Sequence, residues 1–365
     1  MAKKLFVAAI DKNSGKTTTS ISLMHLARKK YDRVGFIKPF GAKSVTHNGL
    51  VVDKDVALMA QVFDLRQELE IMSPVVLHQD TTRKVVDGLI SPLELQEKII
   101  HACAELEKSC DFIIIEGSGH PGVGSIVGLS NARIARLLDA PVLLVTDGGL
   151  GNVVDRLAMI QALFEKERVD VRAILVNRLI PDKREKSLDY LRRALAGEPF
   201  QVMGGFNYQP ILANPTLRRI STLLELPVHG SKKELQKIIH SVLVGAASTQ
   251  RITELLQEPS LILATSSRDE LLVTLAHLYH MPEYSDHIVG LVITGATPMA
   301  PITRQILDKS RIPYMREEEL TSAELYQIIG KDVSKIIAED SEKLDLIRSL
   351  AETSLDFAAI DEIFS

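Results

Sequence analysis

The stretch that decides the fold is 5-LFVAAIDKNSGKTTTSISLMHLARKK-30. An apolar run suited to a buried strand stops at Asp11, passes through polar residues to Gly15-Lys16-Thr17-Thr18, and resumes with apolar residues at helical spacing. A strand, a Gly-containing loop and a helix opening on Lys-Thr form the setting in which backbone N–H groups and a helix N-terminus hold a phosphate. The full pattern places its first Gly six residues before the Lys, where this chain has Ile10. The end that carries the chemistry is intact. Backbone around Gly15 can turn toward an anion, Lys16 can reach β and γ phosphate oxygens, and Thr17 can ligate Mg²⁺. Asp11, Lys12, Asn13, Ser14 and Thr18 complete the candidate nucleotide loop. The competing reading is a plain strand-to-helix turn capped by Ser14.

At 365 residues the chain has room for two ordinary domains, and its 45% apolar and 25% charged residues are those of a soluble globular protein. A net charge of -4 gives no overall reason to bind nucleic acid or an anionic membrane. The apolar run after Met1-Ala2-Lys3-Lys4 is cut short by Asp11 and Lys12, so a first strand is expected there and not a signal peptide. No apolar stretch approaches the ~20 residues of a membrane helix. A cytoplasmic chain is therefore expected. Cys103 and Cys110 would lie about 10 Å apart along a helix, too far for a disulfide, and packing is their expected role.

The first two hundred residues alternate strand and helix patterns, as in an α/β protein. Short apolar strands are expected at 5–10, 34–38, 112–116, 142–147 and 173–177, each ending in a polar residue, or for the first followed by one, at the edge where open parallel sheets bind ligands. Helices are expected at 17–30, 93–108, 132–138, 155–166 and 184–196. Past residue 200, "MGGFNYQPILANP" has the Gly, Asn and Pro density of a loop, and the pattern then restarts. The expected division is a P-loop domain over 1–212 with a mostly parallel sheet flanked by helices, a smaller α/β domain over 213–330, and a C-terminal helical segment over 331–365. In the second half "SVLVGAA", "SLILATSS", "IVGLVITGATP" and "RIPYMRE" read as strands, and Thr321 with Glu324 reads as a capping box.

The loop narrows the choice of relatives. Partitioning and membrane-positioning ATPases carry a second signature Lys five residues before the loop Lys; here that position is Asp11, with Lys12 one place off register. An Asp there resembles the loop of dethiobiotin synthetases. Four further stretches are similar to that family. "GFIKPFG" resembles its second strand, which implies that Lys38 points to the substrate and the transferred phosphate. "DKDVALMAQ" resembles its Asp-bearing helix start, which implies that Asp55, or alternatively Asp53, helps to hold Mg²⁺. "FIIIEGSGHPGVGS" resembles the strand and loop that carry its metal-associated Glu, which implies the same for Glu116. "AILVNR" resembles the strand end whose Asn contacts adenine, which implies that role for Asn177. The chemistry agrees with the resemblance: Thr17, Asp55 and Glu116 are hard oxygen donors, and Lys16 and Lys38 would neutralise charge on a γ phosphate. Each taken singly has a plainer explanation, such as a helix-dipole partner for Asp53 and Asp55 or a solvated acid for Glu116.

The order of modules is more specific than either one. A dethiobiotin-synthetase-like domain followed by a smaller α/β domain resembles the N-terminal region of long phosphotransacetylases, whose second module is the DRTGG domain. The name-giving residues differ here, reading Ser267-Arg268 and Thr294-Gly295-Ala296, which puts the second module's ligand in doubt. No acetyltransferase domain follows before Ser365, so acetyl transfer is not expected.

Two functions follow as expectations. One is a stand-alone regulatory or sensory protein that binds Mg-ATP, hydrolyses it slowly if at all, and passes the nucleotide state to the second domain or to an unidentified small-molecule or protein effector. The other is an ATP-dependent ligase that activates a carboxylate or carbamate by phosphorylation. A homo-oligomer formed through the second domain is a further expectation. His47 and His120 lie in loops near the site, and in a chain with ten histidines both are read as incidental. The acidic C-terminal stretch does not suit an anionic bilayer.

Overall fold

The computed structural model describes residues 2–65, 68–78, 80–332 and 334–365. The chain divides into two compact units, one formed by residues up to Tyr208 together with Leu344–Ser365, the other by Gln209–Lys343.

Among the described residues the first unit has a six-stranded sheet, all parallel, in the order Gln201–Gly204, Val171–Val176, Val142–Thr146, Lys3–Ala9, Phe112–Glu116, Val34–Ile37. Its inner strands are buried along nearly their whole length, which is why they read as apolar runs without alternation. From the central strand Lys3–Ala9 the chain passes to one side of the sheet and, after Phe112–Glu116, crosses to the other. The loop after Ala9 therefore opens at the point where the strand order reverses, the usual ligand crevice of an open parallel sheet.

Two elements of this unit differ from the sequence reading. Gln201–Gly204 is a strand and not the start of a loop; it pairs with Ala173–Val176 at the sheet edge. Residues 44–53 form an antiparallel hairpin, Ser44–His47 with Leu50–Asp53, turned by Asn48 and Gly49 with φ of 49° and 79°. That is the left-handed Asn-Gly turn that matches strand twist. The hairpin delivers Asp53 to the start of the helix Lys54–Phe63.

The C-terminal segment also departs from expectation. Residues 334–340 form no helix, and the helices Ser341–Ser354 and Phe357–Ile363 follow. The last of these belongs to the first unit, where one carboxylate collects several of its hydrogen bonds and Arg172 donates to the Ile363 and Ser365 carbonyls. Asp361 accepts hydrogen bonds from Lys3 at 2.6 Å, Lys30 at 2.6 Å and Tyr31 at 2.7 Å, and Phe357 lies 6.0 Å from Phe112. The domain boundary accordingly falls at Gln209 instead of residue 213, and 331–365 is shared between the units.

The second unit is built on a four-stranded parallel sheet, Ser241–Val244, Ser260–Thr265, Ile288–Thr294, Tyr314–Arg316, in that order. Apolar clusters cover both faces, one including Leu271, Leu275 and Leu307, the other Leu217, Leu325 and Ile329. The Thr321–Glu324 capping box is present, and its helix runs Ser322–Lys331. Cys103 and Cys110 are buried and are not joined in a disulfide, as expected of packing residues. No helix among the described residues is long and apolar enough to cross a membrane.

Burial works to raise the pKa of Asp361, but the Lys3, Lys30 and Tyr31 hydrogen bonds prevail and hold it at about 2. An unfolded Asp titrates near ~3.9. Its stabilisation is thus complete above about pH 4 and is lost as the pH falls toward 2. Asp361→Asn should cost the first unit about 1–3 kcal/mol at pH 7 in urea denaturation, and the gap from wild type should close by pH 2.

Candidate functional site

The loop after Ala9 is shaped by two left-handed residues, Asn13 with φ 62° and Gly15 with φ 99°, and Gly15 caps the helix Lys16–Ala27. A Cβ on Gly15 would lie 2.2 Å from Nδ2 of Asn177, so only glycine fits. Asn177 itself is buried; its Nδ2 donates to the Ser14 carbonyl at 3.0 Å and its Oδ1 accepts from the Arg178 N–H at 2.8 Å. Arg178 also donates to the carbonyl of Asn13. The strand end at 177–178 thus fastens the loop from behind. Ser14 is fully buried with its hydroxyl 3.5 Å from Asp147, while Lys12 is exposed and Thr18 half-buried on the first helical turn.

At the rim, Asp11 accepts from its neighbour's backbone, Lys12 N–H, at 2.6 Å and from Arg156 at 2.6 Å. The Lys12 N–H first, and the Arg156 guanidinium second, hold its carboxyl below the usual carboxylate range. Lys16 reaches inward, and its Nζ donates to the Gly119 carbonyl at 2.6 Å and lies 3.5 Å from the Asp11 carbonyl.

Beneath the loop the acids and Lys38 converge. Lys38 Nζ pairs with Asp55 Oδ2, with Glu116 Oε1 at 3.1 Å and with Asp53 Oδ1 at 3.5 Å, and all four side chains are buried. Burial opposes the Lys38 charge, but Glu116, Asp55 and Asp53 outweigh it and hold its pKa well above the usual 10.5. Burial pushes the Glu116 carboxyl up, partly countered by Lys38 and reinforced by Asp55. The two candidate aspartates divide the work. Asp53 caps the helix Lys54–Phe63, its Oδ1 accepting from Asp55 N–H at 2.9 Å, and Asp55 makes the closest contact with Lys38.

Among the described residues no group of three or more His, Cys, Asp and Glu side chains is arranged to hold a metal ion, and Lys38 stands among the acids as their cation. The residues nevertheless fit Mg²⁺, which keeps several waters and takes few protein ligands. Thr17 Oγ1 is 3.3 Å from Glu116 Oε1, and Glu116 Oε2 is buried without a hydrogen-bond partner. Three carboxylates against one Lys leave negative charge for a divalent cation to neutralise.

Several contributors were not singled out in the sequence. Asn131, fully buried, holds the Gly-rich loop that follows Glu116: its Oδ1 accepts from Ser118 N–H, and its Nδ2 donates to the carbonyls of Ser118 and His120. In that loop Gly124 has φ 93°, and a Cβ there would meet the Leu129 carbonyl at 2.2 Å. The glycines at 117, 119, 122 and 124 are read from the sequence as places where backbone can approach a ligand, but the Gly119 carbonyl as the acceptor for Lys16, and the roles of Arg156 and Arg178, are not legible there. A backbone acceptor has no side-chain signature, and Arg156 lies far along the chain in an ordinary amphipathic helix. In the second unit, Arg268 donates to the carbonyls of Gly245 and Ala247, and Arg316 to those of Ile293, Gly295, Thr297 and Glu317. These arginines lace the strand-end loops together.

The parallel sheet, the Gly15-Lys16-Thr17 turn at its switch point and the helix behind it define a P-loop NTPase fold. Residues 3–220 match the AAA_26 model, described as an AAA domain; this takes in more than half of the chain, and the chain belongs to that family. The phosphate acetyltransferase of Synechocystis sp. is 23% identical over 313 residues, which cover 84% of this chain and 44% of that protein. The ATP-dependent dethiobiotin synthetase BioD of Thermodesulfovibrio yellowstonii is 24% identical, covering 49% of this chain and 78% of that enzyme. The septum site-determining protein MinD of Pyrococcus horikoshii, solved with Mg-ADP, aligns at TM-score 0.36 with 17% identity, over 58% of this chain and 84% of that one. The chain spans less than half the length of the Synechocystis relative.

Removing Lys38 would leave buried acids without their counter-charge, at a cost of about 3–5 kcal/mol. Lys38→Met should show this loss in urea denaturation, and adding Glu116→Gln should recover part of it. Equal stability of Lys38→Met and wild type would contradict the arrangement.

Proposed function

We propose that the first unit binds Mg-ATP and that the chain acts as a nucleotide sensor, a counterpart of the N-terminal region of phosphotransacetylases. The observation that carries the proposal is the convergence of Lys16, Thr17, Lys38, Asp55 and Glu116 around one loop at the sheet's switch point. In this reading Lys16 holds β and γ phosphate oxygens, the loop from Asp11 to Thr18 surrounds the phosphates, and the second amide N–H of Asn177 meets the adenine. Thr17, Asp55 and Glu116, with Asp53 as the alternative to Asp55, hold Mg²⁺. When bound, the metal ion neutralises charge across the β and γ phosphates. Lys38 adds a fixed positive charge on the γ side.

The sensory part rests on the Lys16 contact with the Gly119 carbonyl. A phosphate that takes the Lys16 ammonium must draw it from that carbonyl, so nucleotide occupancy is felt in the Gly-rich loop. The second unit, read as a DRTGG-like module, or a protein or small-molecule effector would receive the change. Similarity to the Synechocystis phosphate acetyltransferase extends over 84% of the chain and so into the second unit, which supports a linked pair of modules. The match to 78% of a dethiobiotin synthetase favours a second reading, an ATP-dependent ligase in which Lys16 and Lys38 stabilise a phosphoryl group passing to a carboxylate or carbamate.

Calorimetric titration of Mg-ATP into wild type and Lys16→Ala, with phosphate release followed in the same samples, separates the readings. The sensor predicts binding weakened at least about tenfold by Lys16→Ala, with negligible turnover. Rapid turnover, or turnover awakened by a carboxylate metabolite, would replace it with the ligase. Absence of binding would overturn both.

A further inference from the structure

Asp11 is a carboxylate on a loop otherwise suited to an anion, and left unanswered its charge would repel a polyphosphate. The answer comes from Arg156 on the helix Gly151–Glu167, whose Nη1 donates to Asp11 Oδ2 at 2.6 Å. The other oxygen of the same carboxylate accepts the Lys12 N–H at 2.6 Å, so Asp11 is fixed from both sides. The Asp11 carbonyl in turn lies 3.5 Å from Lys16 Nζ. Arg156 is therefore tied to the residue whose backbone neighbours the Lys16 ammonium, the group that in phosphate loops meets the β and γ oxygens.

The guanidinium has five N–H donors. Among the described residues, Asp11 is its one hydrogen-bond partner, and the Arg156 side chain is 35% exposed. Some arginines of this fold brace it through several acceptors: Arg316 donates to four backbone carbonyls, and Arg184 bridges the Gly205 carbonyl and the Asn207 side chain. Others, such as Arg133 on Glu167, hold a single carboxylate as Arg156 does; Arg156 differs in that its carboxylate belongs to the phosphate loop. Arg156 is oriented by a single carboxylate at the rim of the loop and keeps donors in reserve.

We propose that Arg156 is a phosphate-contacting residue of the nucleotide site. Asp11 holds the guanidinium beside Lys16, and its remaining N–H groups meet the terminal phosphate of a nucleoside triphosphate. This rests on the nucleotide-binding reading above and adds a source of selectivity: the chain distinguishes a triphosphate from a diphosphate by Arg156. Asp11 serves as a positioning residue and not as a direct ligand. Because the ion pair is partly exposed it adds little to folding stability, so both residues can be changed without loss of the fold.

The test is calorimetry of Mg-ATP and Mg-ADP with the full chain as wild type, Arg156→Ala, Arg156→Lys and Asp11→Asn, with melting temperatures recorded alongside. Arg156→Ala should weaken Mg-ATP about tenfold or more, leave Mg-ADP within about twofold, and leave melting essentially unchanged. Arg156→Lys should restore only part of the loss, since an ammonium lacks the planar fork. Asp11→Asn should weaken Mg-ATP less than Arg156→Ala does. Equal weakening of both nucleotides would mean that Arg156 acts only through the shape of the loop, and no change in either would make it a surface ion pair; both results overturn the proposal. Wild type that binds neither nucleotide would overturn the nucleotide reading and this inference with it.

Discussion

The site depends on one buried cation. Lys38 lies among Asp53, Asp55 and Glu116, three acids contributed by a hairpin end, a helix start and a strand end. Without the ammonium those acids could not all be charged in the interior, because desolvation and mutual repulsion would drive protons onto them. With it, the hairpin 44–53, the helix Lys54–Phe63 and the strand Phe112–Glu116 are tied at one point under the phosphate loop. The remaining excess of negative charge, the Thr17 hydroxyl beside Glu116 and the orphaned Glu116 Oε2 suit that point to a divalent cation. Structural stability and the proposed chemistry therefore share the same residues.

The loop above this cage is held from several directions. Asn177 and Arg178 fix it from the neighbouring strand end, Arg156 meets it at the rim, and Lys16 crosses to the Gly-rich loop braced by Asn131. Such cross-links tie the loop to Gly119 and to Arg156, positions 103 and 140 residues away from Lys16 in the chain. A sensor needs this property, and so does an enzyme that must assemble its site around a substrate. The physical arrangement serves either, and turnover decides between them.

Much of this was legible in the sequence because it rests on local chemistry. The five strand patterns ending at 10, 38, 116, 147 and 177 fall on observed strands, with shifts of one or two residues at their ends. The grouping of Lys38, Asp55 and Glu116 came from resemblance, and the structure brings these residues together. What escaped notice depends on distant partners. Gln201–Gly204 looks like a loop because of its glycines, yet Gly204 and Gly205 lie so close to Leu188 and the Val176 carbonyl that a Cβ at either would clash. The Asn48-Gly49 hairpin is the exception, a local turn signal within a stretch that reads as loop. The docking of the last helix on the first unit turns on Asp361 meeting Lys3 and Lys30, more than three hundred residues away, and no periodicity announces that.

In the proposed site a nucleotide and a divalent ion are bound together at Thr17 and Glu116. The most direct test is electron paramagnetic resonance of Mn²⁺, used in place of Mg²⁺, titrated into wild type and Glu116→Gln with and without ATP. A bound Mn²⁺ signal that requires ATP is expected in wild type and should be largely lost in Glu116→Gln. Mn²⁺ bound equally well without ATP, or unaffected by Glu116→Gln, would contradict this arrangement.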